Sequence, residues 1–280
     1  MTTIIHGTPI TPRAGLEQMA GKSFCVSFAD ARDLETCIRL QDPKGMLMLD
    51  NGAFTHWRKG KGAIDRRAYF AWANAAQARC AAAVAVIPDV IGGDEATNWM
   101  EAAYAVRQEA RYPERLMFVW HMDDSLEQLE KACRLFNFVA IGSCAAFDVQ
   151  KNRKAYIARL RQANATINYV EAFHGRRPWI HLMRGTAMFA KAIRFESADS
   201  SNVARNHCRT KGQANHIAAM AARIEAPILA TAAAAPKGAT YATSNFFDPR
   251  DWLAAYHSHQ DDTSFYAGDE LEDAEVAQAA

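Results

Sequence analysis

The sequence predicts an α/β fold, a TIM-type (β/α)8 barrel in a single domain, and three observations carry that expectation. Short apolar runs recur at residues 23–28, 46–49, 83–87, 116–120, 138–141, 179–183 and 192–195, with 227–229 as an eighth. They are continuous rather than alternating, as parallel strands covered on both faces are. Each is followed by a polar stretch with helical spacing, and seven or eight such units over about 250 residues fit a closed barrel better than an open sheet. A flavodoxin-like or Rossmann sheet is the runner-up. No GxGxxG follows any run, so nothing points to a dinucleotide site.

The elements follow in order. Helices are expected at 31–40, 66–79, 95–111, 125–135, 151–165 and 202–224, between or after the apolar runs. Ser125, ahead of Leu126 and Gln128, has the chemistry of an N-cap, and Asp94 can cap its helix in the same way. Asp124 and Asp148 are also taken as helix caps. No internal repeat or linker interrupts the pattern, so residues 1–255 are assigned to the barrel and 256–280 to an acidic C-terminal tail.

Composition narrows the class. Half of the 280 residues are apolar, 22% are charged and the net charge is +1, as in soluble globular proteins. No apolar run reaches the roughly 18 residues of a membrane helix, and the start, Met1-Thr-Thr-Ile-Ile-His6, lacks the pattern of a signal peptide. Six cysteines, at 25, 37, 80, 133, 144 and 208, form no CxxC pair. They read as reduced thiols of a cytoplasmic protein. The small net charge hides an asymmetry. The eight acidic residues from Asp251 onward have no Lys or Arg among them, so the first 250 residues hold all 32 basic residues against 23 of the 31 acidic ones. A basic body is compatible with a polyanionic partner.

In a parallel barrel the residues just after the strands gather at the C-terminal mouth, where chemistry is done. Here they are Asp50-Asn-Gly-Ala-Phe54, Asp89-Val-Ile-Gly-Gly-Asp94, His121-Met-Asp-Asp124, Gly142-Ser143, Arg184-Gly185 and Asp199-Ser-Ser-Asn202. Asp50, Asp89 and Asp199 thus open three loops on one face. Each taken singly can be a helix cap or an Asx turn. Together, beside glycines that admit a ligand to the backbone, they form a candidate site.

Asp50-Asn-Gly-Ala-Phe54 resembles the Asp-Ser-Gly-Gly-(Phe/Tyr) signature of the tRNA-guanine transglycosylases. His181-Leu-Met183-Arg-Gly185 is similar to their Tyr-Leu-Met-Gly segment, and Asp199-Ser-Ser-Asn-Val-Ala-Arg205 to the Asp-Cys-Val-x-Pro-Thr-Arg stretch bearing their nucleophile. Pro88-Asp89 and Ile141-Gly142-Ser143 are intermediate matches, and order and rough spacing hold over about residues 45 to 210. The chain departs from the family in three ways: Asn51 replaces Ser, the Pro-Thr of the nucleophile motif is missing, and no Cys follows Cys208. The family's zinc subdomain therefore has no counterpart, and His207, Cys208 and His216 match no common zinc spacing, so no metal and no cofactor are expected. A compact barrel without that module resembles the branch, often phage-encoded, that inserts 7-deazaguanine bases into DNA; for a phage protein the compartment is the host cytoplasm.

The resemblance implies a base exchange at C1′ of a nucleotide through a covalent carboxylate intermediate. By it, Asp199 is the nucleophile and Asp50 the general acid/base. Asp89 accepts hydrogen bonds from a guanine-like base, and Phe54 and Met183 sandwich the flipped base. Gly142 and Ser143 admit the other edge of the base, Asn51 lies in the binding loop, and His121 contacts the base oxygen. Plain core roles for Phe54 and Met183 and a structural role for His121 are the alternatives. DNA contacts are expected near the mouth from Arg58, Lys59, Lys61, Arg176, Arg177, Arg205, Arg209 and Lys211, with Trp57 able to stack on a neighbouring base. A tRNA substrate is the nearest alternative, and a nucleoside or base hydrolase the next.

Overall fold

Eight parallel strands hydrogen-bond in chain order, and the last pairs with the first, which closes the barrel that the sequence predicts. They are β1 (Thr3–Gly7), β2 (Ser23–Ser27), β3 (Leu47–Asp50), β4 (Ala83–Val86), β5 (Leu116–His121), β6 (Phe138–Gly142), β7 (Trp179–Leu182) and β8 (Ser197–Ser200). The structure is a computed structural model and describes residues 2–186, 194–207, 217–233 and 249–250. The acidic tail, Cys208, Arg209, Lys211 and His216 lie outside them.

Two strands differ from expectation. β1 lies in the segment read only for targeting signals, and its Ile5 pairs with both Ser23 and Asp199. β8 falls after the apolar run at 192–195, on the polar sequence Ser197-Ala-Asp-Ser200. Asp199 is therefore inside a strand and not in the loop beyond it. The run at 227–229 belongs to helix α8 (Ile217–Ala233) and is not a strand.

The helices between strands are α1 (Leu34–Leu40), α2 (Ala53–Arg58), α3 (Arg66–Arg79), α4 (Glu95–Tyr104), α5 (Leu126–Leu135) and α6 (Arg153–His174), and α7 (Asn202–Asn206) follows β8. Ser125 and Asp94 cap as expected, accepting from Gln128 N at 3.0 Å and Thr97 N at 2.8 Å. Helix α6 runs past the expected 165 because Ile167 and Val170 continue its buried face; it stops at Gly175, whose φ of 64° ends the helix. Among the described residues no helix is long and apolar enough to cross a membrane.

Alternation along the strands divides the core in two. Ile5, Met48, Val86, Val119 and Ala140 meet in the barrel interior, while the residues between them pack outward against the helices. Outward-facing His6 on β1 meets Glu225 of α8 at 2.9 Å, and Lys22 joins the same carboxylate, so α8 is tied to the wall. Tyr69 of α3 does the corresponding work under the mouth. Its fully buried hydroxyl lies 2.6 Å from Val86 O and 3.0 Å from Leu49 O, bridging the ends of β3 and β4 just before Asp50 and Asp89.

Tyr69→Phe leaves the packing in place but strands those two carbonyl groups. It is expected to lower unfolding stability by about 1–3 kcal/mol, measured as a shift in the urea midpoint at constant slope.

Candidate active site at the barrel mouth

Inward positions of the strands continue upward as polar residues. Two residues beyond inward Met48 comes Asp50, beyond Val119 comes His121, and beyond Ala140 comes Gly142. On β8 the pleat places Ser197 and then Asp199 inward, and on β2 Cys25 and then Ser27, with Ser27 in register beside Asp50. Barrel closure thus converts residues distant in sequence into one ring of polar side chains over an apolar floor that includes Cys25 and Met183.

Asp199 is gripped on one oxygen. Its Oδ1 accepts the Arg184 N–H at 2.6 Å and faces His181 Nε2 at 3.4 Å. His181 is fully buried, and its Nδ1 lies 2.9 Å from Ser197 Oγ. That oxygen also accepts the Trp179 Nε1–H at 2.7 Å, while His181 Nε2 stands near Asp199 without a formed hydrogen bond. Burial works to raise the Asp199 pKa, but His181 and then Arg184 overcome it and hold the carboxyl below its ordinary value. Asp50 is set the other way. Burial raises its pKa and the charges of Asp89 and Asp199 add to that, against the neighbouring Ser27 hydroxyl and the hydrogen bond from the Gly52 N–H. Two carboxyl groups at one mouth therefore differ in proton affinity.

Asp89 is joined to the far wall. Its Oδ2 lies 3.1 Å from His121 Nε2, and its Oδ1 accepts from Asn51 Nδ2 at 3.3 Å. Asn51 is buried and its amide is committed: Nδ2 also donates to Ile87 O at 3.0 Å, and Oδ1 accepts from Ala53 N at 2.7 Å. It fastens the β3 loop to the β4 loop rather than facing the pocket. The other His121 nitrogen, Nδ1, is 3.6 Å from Asp124 Oδ2, which also accepts the His121 N–H at 2.9 Å. Asp124 is thus the partner of His121 and not a helix cap, and Arg159 holds its carbonyl. Asp148 accepts from Gln150 N and Lys151 N in the turn before α6. Burial would lower the His121 pKa; Asp124 and Asp89 outweigh it and push it up to about 10. With a carboxylate at each ring nitrogen, His121 positions Asp89 rather than reaching for a base oxygen. Gly142 leaves it room, since a Cβ there would stand 3.3 Å from His121 Cδ2. Ser143 beside it is exposed.

Phe54 belongs to α2, which starts at Gly52 in the left-handed region (φ 76°). Its ring is not core: it is 40% exposed, with the Arg184 guanidinium 5.1 Å from its centroid. β3 and β7 are four strands apart either way round, so this contact spans the mouth. Met183, half-buried against the interior cluster, sits where the floor meets the pocket.

The basic residues divide. Arg58, Lys59 and Lys61 are exposed at the end of α2, and Arg205 is exposed on α7, all following strand ends at the mouth. Arg176 and Arg177 precede β7 and so lie at the opposite end of the barrel. Arg177 is buried and paired with Glu196 at 3.1 Å and Glu171 at 3.3 Å, while Arg176 donates to Asn137 Oδ1 at 2.7 Å and to Arg134 O. They serve the barrel base, and the expectation of a mouth contact is corrected for both. His207 places its ring nitrogens on Val203 O and Thr11 O, at 2.7 and 2.6 Å, which leaves neither for a metal.

No family model matches the chain, and no curated protein matches it. The geometry therefore stands by itself. It adds three residues that sequence reasoning assigned no role at the site: His181, Asp124 and Arg184. Strand parity was the available signal for His181, which stands two residues before Met183. Arg184 gave none, because its role rests on a main-chain N–H and a contact across the mouth.

The raised His121 value has a stability consequence. Its contribution is complete below the ordinary imidazole value near 6.5 and is lost as pH rises toward about 10, because the unfolded chain releases the proton first. His121→Gln is expected to flatten that decline, compared with the parent protein, in urea midpoints taken across this range.

Proposed function

We propose that the protein is a pentosyltransferase that exchanges guanine in DNA for a 7-deazaguanine derivative, such as 7-cyano-7-deazaguanine. The observation that carries this reading is the convergence of Asp199, gripped by the Arg184 N–H, and Asp50 on inward positions at one barrel mouth, with pKa values shifted in opposite directions. The motif resemblance at Asp50–Phe54, His181–Gly185 and Asp199–Arg205 supplies the substrate class.

The residues divide the work as follows. Asp199 has Oδ1 engaged by Arg184 and His181, which leaves Oδ2 to attack C1′ as the C1′–N9 bond breaks. A carboxyl held below its ordinary pKa is ionised and ready for that attack. The departing guanine takes its proton from Asp50, the carboxyl of the pair whose pKa is raised by burial. The incoming 7-deazaguanine then returns a proton from its N9 to Asp50, and N9 displaces the Asp199 oxygen from C1′. Asp89, with one lone pair on each oxygen beyond those facing Asn51 and His121, accepts from the N1–H and amino group of the base. Adenine lacks that donor pair. Phe54 and Met183 bound the base on its two faces once Arg184 yields the Phe54 ring. No step calls for a metal or an organic cofactor.

The polymer is DNA in this reading because the chain resembles the tRNA enzymes without their zinc-bearing segment. Incubation with labelled 7-deazaguanine base and either DNA or tRNA tests it: label is expected in DNA. Label in tRNA alone would reassign the polymer, and release of free guanine without incorporation would mark a hydrolase.

Asp199→Asn is expected to fold with unchanged circular dichroism and to form no covalent protein–DNA adduct on denaturing gels. An adduct that persists in this variant would move the nucleophile elsewhere.

A further inference from the structure

Helix α2 carries an aromatic, Trp57, that the base exchange does not use. Phe54 and Trp57, three residues apart and so on one face, are 40% and 56% exposed. Their rings lie 5.7 Å apart at 32°, and the Arg184 guanidinium covers Phe54 at 5.1 Å. Three planar groups from opposite sides of the barrel thus follow one another from the mouth outward. Arg58, Lys59 and Lys61, all exposed, continue directly from Trp57. The other exposed aromatic pair, Tyr169 and Phe173 on α6, has ring centroids 4.5 Å apart but borders a groove lined by Glu127 and Glu130. Its charge repels a polyanion; that of α2 attracts one.

We propose that Arg184, Phe54 and Trp57 form a stacking track for single-stranded nucleic acid, with Trp57 taking the base next to the exchanged one and Arg58, Lys59 and Lys61 its phosphates. The proposal rests on the base-exchange reading for which nucleotide enters the pocket. Its own support is the pairing of exposed π-faces with cations at a rim continuous with that pocket. Stacking serves any base, whereas the cations follow the backbone, so the track holds a strand without selecting its sequence. A duplex hides the faces that Trp57 needs, and the strand must be open at the site.

The test uses the full chain and two fluorescein-labelled 12-mers, oligo-dT and an abasic strand of equal length, read by anisotropy. Trp57→Ala is expected to weaken oligo-dT binding about tenfold and leave the abasic strand unchanged. Trp57→Phe is expected to restore most of the loss. Replacing Arg58, Lys59 and Lys61 together by Ala is expected to weaken both strands and to reduce the salt slope by about 2. Trp57→Ala acting on both strands alike, or on neither, overturns the track. Base exchange measured on the same proteins separates the two ideas. Exchange with unaltered Trp57→Ala binding removes the track alone; the Trp57 signature without exchange supports the track and removes the base-exchange reading.

Discussion

Carboxylates at the rim of an apolar barrel cannot share one environment, and the arrangement of the mouth follows from that electrostatic constraint. Asp50 and Asp199 stand where the inward pleat leaves the Met, Val and Ile interior, and Asp89 joins them from the loop after β4. Three like charges there would each raise the next pKa, so each must be paired or keep its proton. Asp199 takes the main-chain N–H of Arg184 and the imidazole of His181. Asp89 takes His121, which in turn leans on Asp124. Asp50 accepts the Gly52 N–H beside Ser27, and its pKa rises instead. The difference in chemistry between Asp50 and Asp199 is thus a consequence of how the available donors were distributed.

The same ring explains what was legible in the sequence. The strands β2 to β7 were visible because they are covered on both faces, which makes most of their residues apolar. β8 was not, because its inward residues are Ser197 and Asp199, and a strand that carries the site's own polar groups has no apolar run to show. The apolar residues that precede it drew the expected strand upstream. β1 is five residues with polar ends, and only its three central residues are buried. Helix α8 presents an apolar triplet around Pro227 that looks like a strand when read locally, but its residues continue a helix tied to β1 by Glu225. A local apolar pattern does not say which kind of element carries it.

The candidate site was legible to the extent that it lies at strand ends. Asp50, Asp89, His121, Gly142 and Asp199 all reach the mouth, although Asp199 does so from within β8. What the sequence could not display is which polar atoms are already occupied. Asn51 spends its amide between two loops, and His121 has a carboxylate at each nitrogen. Arg176 and Arg177 illustrate a different limit. They precede β7, and their proximity in sequence to the Met183 loop masks the length of the barrel between them. A buried guanidinium at the base needs its own carboxylates, which Glu171 and Glu196 provide to Arg177.

Arg184 combines the local and the global constraints. It is the non-glycine residue with positive φ among the described residues, at 54°, a conformation that costs an ordinary side chain roughly 1 kcal/mol. The strain brings its N–H onto Asp199, and a hydrogen bond to a charged oxygen offsets such a cost. A glycine would supply that N–H without strain, and the next residue is one: Gly185 is packed so closely that a Cβ there would stand 2.2 Å from Leu182 Cγ. The N–H therefore does not account for an arginine at 184. Its guanidinium does, because it reaches from the β7 loop to the Phe54 ring on the opposite wall. One residue thus links the Asp199 carboxylate with the exposed Phe54 ring, and the strained backbone is what allows both contacts at once.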